Sequence, residues 1–244
     1  MTFMRGSLLL SAMLLFFSTM AAQAGGLWNR GSVKDGGYRP AITTQPSWYA
    51  RLDVAYGLNG DPDLVETGSF DLADNSWDGT WSLGVGFGRY FTANIRGDLT
   101  YDYRFESDVS GTAVGTCCDG LREFGLSSHL LLANLYYDFN RRSTVNPYLG
   151  VGLGVVYNET STEANASARI QGDSNWDFAA AVMAGVGLKA GSRTNIDLGY
   201  RFLYLGEAQT GLIADGSGGN VRAGITADDL LAHEFRFGVR YDIN

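Results

Sequence analysis

From Trp48 to Ile243 the chain alternates apolar and polar residues with a period of two, the signature of strands with one apolar face. The first such segment places Trp48, Ala50, Leu52, Val54 and Tyr56 on one face, with Tyr49, Arg51, Asp53 and Ala55 on the other. The second sets Trp81, Leu83, Val85 and Phe87 against Ser82, Gly84, Gly86 and Gly88. The third sets Ile95, Leu99, Tyr101, Tyr103 and Phe105 against Arg96, Asp98, Thr100, Asp102 and Arg104. Leu131 to Phe139 carries Asn134, Tyr136 and Asp138 on its polar face, and Leu149 to Tyr157 carries Gly150, Gly152 and Gly154. Trp176 to Lys189 sets Asp177 and small residues opposite its apolar side. Ile196 to Tyr204 sets Asp197, Gly199 and Arg201 opposite Leu198, Tyr200 and Phe202. The last segment sets Glu234, Arg236, Gly238, Arg240 and Asp242 opposite Phe235, Phe237, Val239, Tyr241 and Ile243.

Connections between these segments alternate in length. Short turns are expected at 91–93, 140–146 and 190–193, and long loops at 58–76, 106–127, 158–175 and 205–228. An even number of strands about ten residues long, with short turns at one end and long loops at the other, predicts an all-β, eight-stranded antiparallel up-and-down transmembrane barrel over 47–244. Closure follows from the solvent. In hydrocarbon every backbone N–H and C=O needs an internal partner, so no sheet edge can stay open.

A soluble eight-stranded barrel would show the same alternation with the faces exchanged. Three features favour the polar face inside. That face is rich in Gly, which weakens strands but suits a crowded lumen. Its cations are Arg rather than Lys; the whole chain has Lys34 and Lys189 as its lysines. The planar guanidinium pairs with carboxylates in a fixed fork, which suits an enclosed space. Tyr and Trp also fall on the apolar face near strand ends, where aromatic girdles meet the bilayer interfaces. The expected lumen charge network is Arg51, Asp53, Arg96, Asp98, Asp102, Arg104, Asp138, Asp177, Asp197, Arg201, Glu234, Arg236 and Arg240. An eight-stranded interior is narrow enough for such side chains to fill it. The alternative is that they line a narrow selective pore.

The N-terminus has a different character. Arg5, an apolar run over 8–17 and Ala22-Gln23-Ala24 predict a signal peptide over 1–24. Its apolar run is shorter than the ~18 residues a helical span requires. Residues 25–46 are polar and aperiodic and are expected to form a periplasmic tail. The formal charge of −8 disfavours nucleic-acid binding, which needs a basic face.

Four stretches resemble the small outer-membrane barrels of Gram-negative bacteria, the OmpA-like "porin family" surface proteins. They are Asn134-Leu-Tyr-Tyr-Asp-Phe139, Asn146-Pro-Tyr-Leu-Gly-Val-Gly-Leu-Gly154, Ile196-Asp-Leu-Gly-Tyr-Arg-Phe202 and His233-Glu-Phe-Arg-Phe-Gly-Val-Arg-Tyr241. The similarity spans about Trp48 to Asn244. It implies outer-membrane surface antigens or envelope-stabilising proteins, some regarded as porins and some as haem binders. The last strand also resembles a barrel-assembly signal through Arg236, Gly238, Tyr241 and Ile243. Members commonly end in Phe, whereas this chain ends Ile243-Asn244. No peptidoglycan-binding domain is expected after the last strand.

Candidate chemistry is sparse. His129 and His233 are the two histidines, both expected on the lipid-facing side near the loop end and on opposite walls. Ser128 and His129 are adjacent in a strand and point apart, so they form no dyad. Asn158-Glu159-Thr160 matches a glycosylation sequon by chance. Cys117 and Cys118 form a possible disulfide, since an exported loop is oxidising. The expected activity is a structural and surface barrel without enzymatic function or cofactor. Its expected partners are outer-membrane lipid, lipopolysaccharide and the barrel-assembly machinery, with an unidentified external ligand. A narrow passive porin and a haem or host-ligand receptor are the alternatives.

Overall fold

In a computed structural model the described residues are 48–66, 70–114, 120–165, 168–219 and 221–243. The expected signal peptide, the tail and the Cys117–Cys118 pair lie outside them. The alternating segments form eight long strands: β1 (Trp48–Asn59), β2 (Thr80–Tyr90), β3 (Ile95–Ala113), β4 (Gly120–Asp138), β5 (Val145–Thr160), β6 (Ser174–Lys189), β7 (Thr194–Tyr204) and β8 (Leu231–Ile243). Each is antiparallel to the next in sequence, and β1 pairs with β8. The meander therefore closes into an eight-stranded barrel. No helix occurs among the described residues.

The register gives each strand one face. Arg51 pairs with Arg240 and Gly86, while Leu52 pairs with Val239 and Val85. Polar positions of neighbouring strands thus meet on one side of the wall and apolar positions on the other. Burial shows which side is inside. Arg51, Asp53, Arg96, Asp102 and Arg201 are buried, whereas Leu52, Val85, Leu99, Val151 and Val182 are more than half exposed. That inversion of ordinary globular burial is the transmembrane arrangement. Trp48, Tyr56, Trp81, Tyr101, Tyr137, Trp176 and Tyr241 are exposed on the outer wall.

Short connections close one end. In the first, Thr92 Oγ1 accepts the N–H of Asn94 and of Ile95, at 3.2 and 2.9 Å, a local hydroxyl bond that fixes the turn. At the other end the strands run further than the alternation predicted. The segment 106–127, expected as a loop, is largely strand: β3 continues to Ala113 and β4 begins at Gly120. A bulge between Arg104 and Ser107 shifts the register where this extension begins.

The remaining long loops contain short strands of their own. Residues 63–66 pair with 70–71 and with 225–228, which in turn pair with 208–209. A second small sheet joins 163–164, 168–170 and 213–215. Leu64, Ile213, Ile225, Ala227 and Leu230 of these loops are buried in one apolar cluster with Leu130, Leu132, Val156 and Leu203 of the barrel wall. The loops thus pack an apolar cluster against the barrel wall.

Outer-membrane barrels generally place short turns in the periplasm and long loops outside. An epitope inserted after Ser217, which is exposed in the fourth loop, should be reached by antibody on intact cells. One inserted after Ser143, in the second short turn, should be reached only after permeabilisation. The opposite pattern would invert the topology.

Candidate functional site

Twelve buried charged side chains line the lumen, and their charges balance. The six cations are Arg51, Arg96, Arg104, Arg201, Arg236 and Arg240; the six anions are Asp53, Asp98, Asp102, Asp138, Asp197 and Glu234. Ten of them form one chain of alternating sign. Arg104 binds Glu234, which binds Arg201 at 2.6 Å. Arg201 binds Asp102 at 2.9 Å, and Asp102 binds Arg236 at 3.1 Å. Arg236 reaches Asp53 at 3.2 Å, and Asp53 binds Arg51 at 2.8 Å. Arg51 binds Asp98 at 3.2 Å, Asp98 lies 3.9 Å from Arg96, and Arg96 binds Asp138 at 3.2 Å. Arg240 and Asp197 form a separate pair at 3.4 Å.

The strands dictate this order. Inward positions come from every second residue of β1, β3, β4, β7 and β8, whose side chains meet in a narrow lumen. Glycines leave the room. A Cβ at Gly238 would overlap the Asp53 carboxylate, and one at Gly84 would overlap that of Asp102. Gly238, part of the expected assembly signal with Arg236, thus also makes space in the lumen. Tyr241 and Ile243 of the same signal face outward.

Neutral groups complete the layer. Tyr49 donates to Asp98 at 2.9 Å, and Arg51 donates to the Tyr136 hydroxyl at 2.9 Å. Asn134 donates to Asp98 at 2.8 Å and to Thr100 at 3.0 Å. The Arg96 guanidinium lies 3.9 Å from the Tyr136 ring centroid and 4.9 Å from that of Tyr148, a cation–π arrangement. Tyr49, Thr100, Asn134 and Tyr136 share the inward parity of the charged residues, so the alternation marked their side but not their role.

One expected member does not join. Asp177 is partly exposed and accepts the backbone N–H of Phe178 and of Glu207, at 2.6 and 2.7 Å. It lies near the loop end of β6, and it anchors the start of the fourth loop instead of pairing with Arg. A second ion cluster in the loops was not foreseen. Glu66 is buried and binds Arg122 at 3.1 Å and Arg222 at 2.6 Å, tying the first loop to β4 and to the fourth loop. No periodicity marks Glu66 or Arg222, because both lie in irregular connections.

The histidines face outward. His129 Nδ1 shares a hydrogen bond with the Tyr101 hydroxyl at 2.7 Å, and His233 Nδ1 one with the Tyr200 hydroxyl at 2.6 Å. Among the described residues no cluster of three or more His, Cys, Asp or Glu is arranged to hold a metal ion.

Comparison with known proteins gives the same architecture. An uncharacterized protein of Brucella abortus is 30% identical over 230 residues, covering 78% of each chain. One of Brucella suis is 30% identical over 224 residues, again covering 78% of each. Among solved structures, the outer membrane protein OprG of Pseudomonas aeruginosa matches with a TM-score of 0.53 at 18% identity, over 80% of this chain and 95% of that one. Neisserial surface protein A matches with a TM-score of 0.45 at 19% identity, over 82% of this chain and 99% of that one. The family model described as "Outer membrane protein beta-barrel domain" matches residues 9–242, so the chain belongs to that family.

Proposed function

We propose that this protein is a closed structural and surface barrel of the outer membrane. The observation that carries this reading is the charge-balanced chain of ten ionised side chains across the lumen. An ion-conducting pore needs room along its path for ions and mobile water. Here each charge is held by its neighbours, and the network's loop end meets the first loop, where the Arg104 guanidinium lies 5.7 Å from the buried Trp77 ring centroid. In this reading the segment 1–24 directs export and is removed. Phospholipid and lipopolysaccharide cover the apolar belt. The barrel-assembly machinery engages the last strand through Arg236, Gly238, Tyr241 and Ile243. The paired loops form the outer surface and meet external partners.

Planar-bilayer recording tests the proposal. The wild-type barrel should show no steady conductance steps. Stable, ion-selective steps would replace this reading with the narrow porin.

A further inference from the structure

Arg89 breaks the pattern of the outer wall. It follows Trp81, Leu83, Val85 and Phe87 in outward parity on β2. Between the loop-side aromatics and the short turns, it is the one ionised outward side chain among the described residues. Its guanidinium lies 5.4 Å from the Trp48 ring centroid. Its Nε is enclosed and has no hydrogen-bond partner. No carboxylate among the described residues pairs with it. Arg89 lies one residue from the end of β2, within reach of the lipid headgroups, and an enclosed guanidinium favours an anionic acceptor there.

The wall beside Arg89 is dented. Arg89 pairs with Gly97 on β3, and Gly97 pairs with Leu135 on β4. Gly97 holds an outward position without a side chain, and Phe91 leans over it: a Cβ there would come 2.9 Å from the Phe91 ring. The result is an open groove of about 450 Å³, lined by Trp48, Phe87, Arg89, Phe91, Leu99 and Leu135. Asp98 and Asn134, which bond each other in the lumen, also border it; its outward side chains join apolar walls to one cation, Arg89, at the short-turn end of the barrel.

We propose that this groove holds one anionic glycerophospholipid of the periplasmic leaflet, with its phosphodiester on Arg89 and one acyl chain along the dent at Gly97. Charge complementarity selects the occupant. The guanidinium fork matches two phosphate oxygens, and the apolar walls match a chain rather than a polar peptide. Position selects the leaflet, because lipopolysaccharide occupies the other face of the membrane. The proposal rests on the membrane-spanning reading of the barrel.

Native mass spectrometry of the full chain tests it. Protein is released from mixed micelles holding equal amounts of phosphatidylglycerol and phosphatidylcholine with identical acyl chains. The wild type should retain one phosphatidylglycerol about fivefold over phosphatidylcholine, the gain expected from one cation near an anionic headgroup. Arg89→Gln should bring the ratio to about one, and Arg89→Lys should keep most of the preference. Both changes lie on the outer wall, and far-UV circular dichroism checks folding. A wild type with no preference, or a preference unchanged in Arg89→Gln, would overturn the site. Protection from protease in reconstituted vesicles reports membrane insertion separately. Insertion with no lipid preference removes this site alone; failed insertion removes the barrel reading itself.

Discussion

Arg201→Ala should destabilise the refolded barrel by about 3–5 kcal/mol, the loss typical when one partner of a buried ion pair is removed. Arg201 occupies an interior link of the lumen chain. It bonds Asp102 at 2.9 Å and Glu234 at 2.6 Å, and its side chain is fully enclosed. Truncation leaves two buried carboxylates facing each other with one guanidinium apiece, Arg236 and Arg104. The lumen then carries an uncompensated negative charge in a space of low dielectric. Two comparisons make the result specific. Arg201→Ala combined with Asp102→Asn restores charge balance and should recover part of the loss. Arg240→Ala should cost less, because Arg240 makes a single ion pair at 3.4 Å and its Nε and Nη1 have no hydrogen-bond partner. Urea unfolding from lipid measures all three. A loss for Arg201→Ala near the ~0–1 kcal/mol of a solvated pair would mean that water screens the lumen. The barrel would then be open where the ion-pair chain implies it is closed.

How much of this site was legible follows from the contrast between the two faces of each strand. Where inward residues are polar and outward ones apolar, lumen and bilayer impose opposite demands on successive residues. Arg96, Asp98, Asp102 and Arg104 stand out on β3 for that reason. Where the inward residues are apolar as well, that contrast disappears. Leu130-Leu131-Leu132 and Val155-Val156 then carry no alternation, although Leu130, Leu132 and Val156 are fully buried while Leu131 and Val155 are exposed. The same loss of contrast concealed the extensions of β3 and β4, whose outward residues, such as Asp108 and Glu123, no longer meet lipid. Asp177 has inward parity like Arg201, but parity says nothing about height along the barrel. At its height the available donors are backbone N–H groups, not guanidinium. The Glu66–Arg122–Arg222 cluster depends on loop pairing, which no local pattern encodes.

Val182→Arg should cost about 2–4 kcal/mol, while Leu188→Arg on the same strand should cost about 0–1 kcal/mol. Val182 faces outward and is 59% exposed, midway between Trp176 at the loop end of β6 and Lys189 at the short turn. Its registered neighbours, Val151 and Phe202, are apolar too. An Arg there would have to leave its guanidinium in hydrocarbon or drag water to it. Leu188 shares the outward parity but lies one residue from the end of the strand. From there the long side chain can reach the headgroup region while its methylenes stay in the apolar belt. In a soluble barrel both substitutions would add a surface cation in water, at little cost. The difference between the two sites in urea unfolding from lipid vesicles therefore isolates the bilayer from every other contribution. A loss at Val182 equal to that at Leu188 would mean that hydrocarbon does not cover this wall at that height. A greater loss at Val182 would fix the outward face of β6, and through its register with β5 and β7 the faces of the neighbouring strands.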